Sequence, residues 1–195
     1  MARRELRWTV SKSVQIADCK VFTVHRNLAS APGETTVHDF YVLRPRHWVN
    51  VIPMTADGQI ILIEQYRHGI HDVTLEIPGG MVELGELSSL TAATRELIEE
   101  TGYVAEEMVF IGRAHPNPAI QDNYCDTYLA RNVKKVQEPQ FDGLEDIETQ
   151  IVSREKISDL IESGAISHAL VIVAFHYLYL YESKLAKVGK EILLA

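Results

Sequence analysis

The stretch "EIPGGMVELGELSSLTAATRELIEETGY", residues 76–103, decides how the chain is read. It passes from a short apolar strand through a glycine-rich loop into a segment of helical spacing, and it stops at Gly102, a natural helix C-cap. On a helix of ~3.6 residues per turn, Glu99 falls roughly 60° behind Glu96 and Glu100 about 40° ahead of it, so three carboxylates crowd one arc of about 100°. Like charges three and four apart destabilise a helix by about 0.2–0.5 kcal/mol per pair. Something must compensate them. Upstream, Gly79, Gly80 and Gly85 let the loop turn tightly and bring its backbone close to a ligand. Loop carbonyls and helix carboxylates that face one point make an oxygen-rich cage suited to Mg²⁺ or Mn²⁺, with Mg²⁺ keeping positions open for substrate phosphates. "RELIEE" taken alone also fits a solvated acidic face; the glycine loop ahead of it favours a metal.

The flanking sequence sets this motif in a mixed α/β domain. "KVFTVHRNL" and "TTVHDFYVL" alternate apolar and polar residues around the turn "APGET", which predicts a hairpin. "WVNVIPMTADGQIILIEQYR" predicts two strands about the Asp57-Gly58 turn. "MVFIGRA", "CDTYLA" and "IETQIV" read as further strands. Helices are expected from about Ser88 to Thr101, over "SREKISDLIESG" (153–164), and over the apolar run "ALVIVAFHYLYLY" (169–181), with Ser167 as a candidate N-cap. That run falls short of the ~20 residues a membrane helix needs, and His176 interrupts it.

Composition narrows the function classes. The chain has 195 residues, 46% hydrophobic, which suits one domain with a sizeable core. A net charge of -8 argues against nucleic acid, whose phosphates require clustered Lys and Arg, and is compatible with gathering divalent cations. The two cysteines, Cys19 and Cys125, lack zinc spacing and are expected as separate buried thiols in a reducing compartment. "MARRELRWTV" shows no apolar stretch of the secretory type, so a cytoplasmic protein without membrane attachment is expected.

The glycine loop and helix resemble the Nudix box: Gly, five residues, Glu, seven residues, then Arg-Glu-apolar-x-Glu-Glu-x-Gly-apolar. Gly80, Glu86, Arg95, Glu96, Leu97, Glu99, Glu100, Gly102 and Tyr103 match it in type. The chain departs from it once, with eight residues, "LSSLTAAT", between Glu86 and Arg95. The extra residue falls where loop becomes helix, near Ser88 and Ser89. Outside the box, "QYRHGIHDVTLEIPGG" and the loop "HPNPAIQDNYCDTYLA" resemble the ADP-ribose pyrophosphatase and nucleoside diphosphate sugar hydrolase subfamily; Pro118, sixteen residues after Gly102, stands where that subfamily carries a Pro-rich loop. The family usually has Pro-Gly there, and this chain has Pro118-Ala119.

The resemblance implies an α+β fold of the Nudix type, an α-β-α sandwich with a mixed central sheet and an N-terminal antiparallel β extension. It implies an extension over 1–44 that dimerises the chain, a hydrolase domain over 45–184 and a tail over 185–195. It implies Gly79, Glu96, Glu99, Glu100 and Glu145 as metal ligands, with Mg²⁺ as cofactor and Mn²⁺ as substitute. Catalytic roles fall to Glu99, Arg95 and Glu145, the last as base, ligand or both; Arg67, Glu76 and Pro118 contact the substrate. The implied reaction is hydrolysis of ADP-ribose or a related nucleoside diphosphate sugar to AMP and a sugar phosphate. Other nucleotide diphosphates, such as sugar nucleotides, NADH or dinucleoside polyphosphates, and a sensor that binds without turnover are the alternatives. His115 reads as a surface histidine or an acid in the substrate loop, and Trp48 as a packed aromatic or a base-stacking one.

Overall fold

The apolar run that starts at Trp48 becomes the central strand of the largest sheet. The computed structural model describes residues 6–140 and 147–193. Two compact units divide it: one contains the chain up to Arg46 together with His115–Asn123, the other His47–Ala114 and Tyr124–Ala195.

In the first unit β1 (Thr9–Asp18), β2 (Phe22–Ser30) and β3 (His38–Pro45) form an antiparallel sheet in that order. The hairpin expected about residues 31–35 is present, running in register from Ala29↔His38 to Phe22↔Pro45. β1 is an addition that alternation did not reveal: all ten of its residues are exposed, and its pairing with β2 is broken by register shifts at Val10/Lys12 and Gln15/Ala17. The segment His115–Asn123 docks on β3, where the Leu43 N–H donates to the Ile120 carbonyl at 2.8 Å and Asn123 Nδ2 donates to the Arg46 carbonyl at 3.1 Å.

The second unit has β4 (Trp48–Met54), β5 (Gln59–Arg67), β6 (Asp72–Glu76), β7 (Gly79–Met81), α1 (Ser89–Thr101), β8 (Tyr103–Val104), β9 (Glu107–Ala114), β10 (Cys125–Arg131), β11 (Lys134–Lys135), β12 (Ile147–Ser153), α2 (Lys156–Glu162) and α3 (Ala169–Leu193). The large sheet runs β12-β5-β4-β10-β9, with β6 added to β5 and β7 to β4. The β4–β10 pair is parallel and its other pairs are antiparallel, so the sheet is mixed as expected. The Asp57-Gly58 turn joins β4 to β5 as adjacent antiparallel strands, as expected, with the Thr55 N–H donating to the Gln59 carbonyl at 2.9 Å. The paired stretch is short, holding at Met54↔Ile60, and Trp48, Val49 and Asn50 pair with β7 instead.

Alternation along β4 serves both faces. Val49 and Val51 pack with Ala92, Ala93 and Leu97 of α1. Ile52 packs on the other side with Val171, Ala174, Phe175 and Leu178 of α3, an i, i+3, i+4, i+7 stripe. Helices on both faces complete the α-β-α sandwich, and a strand buried on both faces reads as a near-continuous apolar run. Each fully buried Val, Leu or Ile contributes about 1.5–3 kcal/mol relative to exposure. α2 is shorter than expected because β12 holds the chain extended through Ser153. α3 is a helix as expected and continues to Leu193. Its cap is His168 in place of Ser167: the His168 Nδ1 accepts from the Leu170 N–H at 3.2 Å and its carbonyl from the Ile172 N–H at 3.1 Å.

Of the two thiols expected to be buried, Cys125 is and Cys19 is not. Cys19 sits at the exposed tip joining β1 to β2, a tight turn with Lys20 at a φ of 65° and the Val21 N–H donating to the Cys19 carbonyl. Burial, with the Asp126 charge beside it, pushes the Cys125 thiol up to about 12. A thiol so placed is inert at neutral pH. An aromatic disulfide reagent is therefore expected to react with one thiol per folded chain and two after unfolding, and Cys19→Ser should abolish the native reaction; labelling of Cys125 in the folded protein would contradict the packing.

Candidate active site

Helix α1 is fastened before it presents its carboxylates. Ser88 is extended and caps the helix, its Oγ accepting from the Thr91 N–H at 3.3 Å. Ser89 Oγ donates to Asp126 Oδ2 at 2.7 Å and lies 2.8 Å from the Tyr128 hydroxyl. Asp126 is 1% exposed and takes a two-pronged bond from Arg113, at 2.6 and 2.9 Å. The far end stops at Gly102, where Val136 and Gln140 donate their N–H groups to the Gly102 and Glu99 carbonyls. Helix phase is thus pinned at both ends.

Arg95 answers the crowding of acids on α1. Its Nε donates to Glu86 Oε1 at 3.0 Å, its Nη1 to Glu96 Oε1 at 2.8 Å and Glu99 Oε2 at 3.0 Å, and its Nη2 to the Met81 carbonyl at 3.0 Å. Burial works against its charge, but the surrounding carboxylates outweigh that and raise its pKa above the ordinary arginine value. Burial likewise opposes ionisation of Glu86, and the Arg95 hydrogen bond with the Glu83 N–H outweighs it, so Glu86 lies below the usual carboxylate range. Glu86 reaches Arg95 despite the extra residue.

The other two acids meet the glycine loop. Glu100, 2% exposed, accepts from the Gly79 N–H at 2.8 Å. Glu96 lies so close to Gly80 that a Cβ there would stand 2.1 Å from its Oε1. Glu96, Glu99 and Glu100 with the loop backbone form an all-oxygen donor set of the kind hard divalent cations take, and the bare glycine face leaves their carboxylates room beside the chain. Among the described residues no three acidic, His or Cys side chains converge tightly enough to hold an ion as they stand, because Arg95 draws Glu96 and Glu99 while Gly79 draws Glu100. The donor chemistry fits a divalent metal.

Gly79 and Gly80 also wall a cavity of about 260 Å³. Arg67 and Glu76 both line it, joined by two hydrogen bonds of 2.7 Å. Burial raises the cost of charge on Glu76, which is 2% exposed, but Arg67 and the Thr74 hydroxyl outweigh it and hold the carboxyl below its usual range. Trp48, Cys125, Asn50 and His168 complete the polar and aromatic part of the lining. Burial lowers the His168 pKa, with Glu76 opposing and Arg67 assisting.

Arg67, Glu76 and Gly79 therefore meet at one cavity, with Glu96 and Glu100 behind its glycine wall. Pro118 and His115 belong to the first unit, where the His115 ring donates from Nδ1 to the Asn123 carbonyl at 3.1 Å. Glu145 lies outside the described residues. Asn50, His168 and Asp126 were passed over in the sequence, and Ser89 was placed beside the helix start without its bond to Asp126. The signal for Asn50 was a lone amide inside an apolar strand, and for His168 its place just before the first apolar residue of α3.

The sequence profile of the NUDIX domain matches residues 44–175. The chain is 34% identical over 136 residues to the ADP-ribose pyrophosphatase of Bacillus subtilis (strain 168), covering 69% of this chain and 73% of that one. It is 29% identical to the methanol dehydrogenase activator of Bacillus methanolicus, over 88% of this chain and 92% of the relative. A crystal structure of an ADP compounds hydrolase superposes with a TM-score of 0.81 at 22% identity, covering 93% of this chain and 97% of the other.

The two glycines should fail differently. A Cβ on Gly79 would stand 2.4 Å from the Val49 carbonyl oxygen, part of a buried strand, so Gly79→Ala is expected to cost about 1–3 kcal/mol of stability. At Gly80 the obstacle is the movable end of Glu96, so Gly80→Ala should keep its melting temperature while Mn²⁺ affinity falls about 10–100-fold. Thermal unfolding beside a metal titration checks both; Gly80→Ala that binds Mn²⁺ as the parent does would separate Glu96 from the metal.

Proposed function

The chain belongs to the NUDIX domain family and is a Nudix hydrolase, and from that premise we propose that it cleaves the diphosphate bond of ADP-ribose or a related nucleoside diphosphate sugar, with Mg²⁺ as cofactor and Mn²⁺ as substitute, giving AMP or another nucleoside monophosphate and a sugar phosphate. One observation carries the proposal. The Gly79-Gly80 backbone that engages Glu100 and Glu96 also walls the cavity holding Arg67 and Glu76.

Glu96, Glu99, Glu100 and the Gly79 carbonyl would hold the divalent ion. When bound, it neutralises diphosphate charge and acidifies water. Arg95 offsets the charge of Glu96 and Glu99 on the helix and ties that helix to the glycine loop through Glu86 and the Met81 carbonyl, so the acidic arc and the loop stay together. Arg67 brings positive charge to the cavity where the diphosphate and its sugar would lie, and the buried Glu76 fixes the guanidinium in place. Glu145 is proposed as general base or additional ligand, and Pro118 as a contact from the substrate loop. Hydrolysis of ADP-ribose is supported by the similarity to the ADP-ribose pyrophosphatase of Bacillus subtilis.

The chain is further proposed to be a cytoplasmic homodimer, with residues 1–44 as the dimerising extension and 45–184 as the hydrolase domain. Exposed Val14, Ile16, Phe40 and Tyr41 on the N-terminal sheet support the dimer, and the two unpaired thiols accord with a reducing compartment. No helix among the described residues is long and apolar enough to cross a membrane.

Purified protein with Mg²⁺ and ADP-ribose should release AMP, and Glu100→Gln should lower kcat at least about a hundredfold. Hydrolysis of another nucleotide with no AMP from ADP-ribose would reject the substrate, and an undiminished Glu100→Gln would reject the metal role. Light scattering at micromolar protein should give the mass of a dimer; a monomer mass would refute the assembly.

A further inference from the structure

The cavity beside Gly79 and Gly80 has polar groups that the acidic helix does not use. Asn50 lies on β4 between apolar neighbours and is 6% exposed. Its Nδ2 donates to the Leu170 carbonyl at 3.3 Å, while its Oδ1 has no hydrogen-bond partner among the described residues. A buried oxygen left so costs about 1–3 kcal/mol, which an apolar residue in a central strand would avoid. His168 supplies the opposite polarity. The Leu170 N–H occupies its Nδ1, so the neutral ring carries its proton on Nε2. Beside them stands Glu76, held by Arg67 and Thr74.

Acceptor, donor and compensated carboxylate thus share one space of about 260 Å³. That is below the ~300–1,000 Å³ of pockets that enclose drug-sized ligands, and it suits a single ring in preference to a whole dinucleotide. A hydroxyl both donates and accepts, so a ring bearing several satisfies both polarities at once. Arg67 lines the same cavity, so a ring held there would lie next to a diphosphate bound by that guanidinium.

We propose that Asn50 and His168 form a specificity subsite for a hydroxyl-bearing sugar ring attached to the diphosphate, Asn50 accepting from one hydroxyl and His168 donating to another. This rests on the reading of the chain as a nucleoside diphosphate sugar hydrolase. The ring belongs either to the sugar phosphate product or to the nucleotide product, and the test separates the two.

The metal-free protein, ¹⁵N-labelled at histidine, is titrated with ribose 5-phosphate and separately with AMP. The His168 Nε2 resonance should move with at least one of them, and the ligand that moves it identifies the ring. His168→Asn keeps a capping oxygen for α3 but lacks the ring donor, and it should bind that ligand about tenfold more weakly with an unchanged melting temperature. Asn50→Leu, close in volume, should weaken binding similarly while its melting temperature holds or rises, since the bare oxygen is gone. A His168 resonance that ignores both ligands, or variants that bind as the parent does, overturns the subsite. A fall in melting temperature for Asn50→Leu with binding intact removes Asn50 from it. Failure of the parent to release AMP from ADP-ribose is a separate result, which overturns the proposed activity and leaves the titration to decide the subsite.

Discussion

A single guanidinium holds the acidic face of α1 together. Arg95 reaches Glu86, Glu96, Glu99 and the Met81 carbonyl at once, with distances of 2.8 to 3.0 Å. Without it, carboxylates three and four residues apart would repel along the helix, and the loop that precedes α1 would lose its tie to it. Lysine is no substitute, because a point charge has no planar fork to divide among three carboxylates and a carbonyl. The arginine is only partly exposed, 24% at its side chain, so solvent screens these bonds less than it would a surface pair.

Everything that makes this helix useful is placed by strands. β4 carries Val49 under α1 and Asn50 at the cavity, and β7 lays Gly79 and Gly80 against that same stretch, pairing Val49↔Gly80 and Asn50↔Gly79. At the start of α1 the Ser89–Asp126 bond ties the helix to β10, and Arg113 completes the charge balance of the buried aspartate. Two separate arginines therefore balance the acids about one helix, Arg95 those of its acidic face and Arg113 the buried Asp126 that its first turn binds. A third, Arg67, does the same for Glu76.

Unfavourable terms meet at the cavity. A buried carboxylate, a half-buried histidine that desolvation keeps neutral and an amide oxygen with no partner among the described residues line it together. Local departures from optimal packing collect where a ligand must be met. The rest of the sandwich supplies the stability that tolerates them.

The helix from Ser88 to Gly102, its acidic arc and the glycine loop were legible in the sequence because each depends on spacing within a few residues: a periodicity of ~3.6, a capping serine, a closing glycine. The same holds for the β2–β3 hairpin and for α3 as a helix. Readings that needed a distant partner went astray or were absent. The Asp57-Gly58 turn did join two antiparallel strands, but β7 limits their pairing by taking the first half of β4, and Cys19 looked buried until the β1–β2 tip put it in solvent. Asn50 meets Leu170 across 120 positions, Ser89 meets Asp126 across 37, and His168 shares its cavity with Arg67 and Glu76. The chain by itself determined which local elements form and which carboxylates share a helix face, since those follow from bonds and angles along a short segment. Only the tertiary structure decided what compensates those charges and which polar groups are buried beside them, because burial depends on contacts between segments whose separation no local pattern encodes.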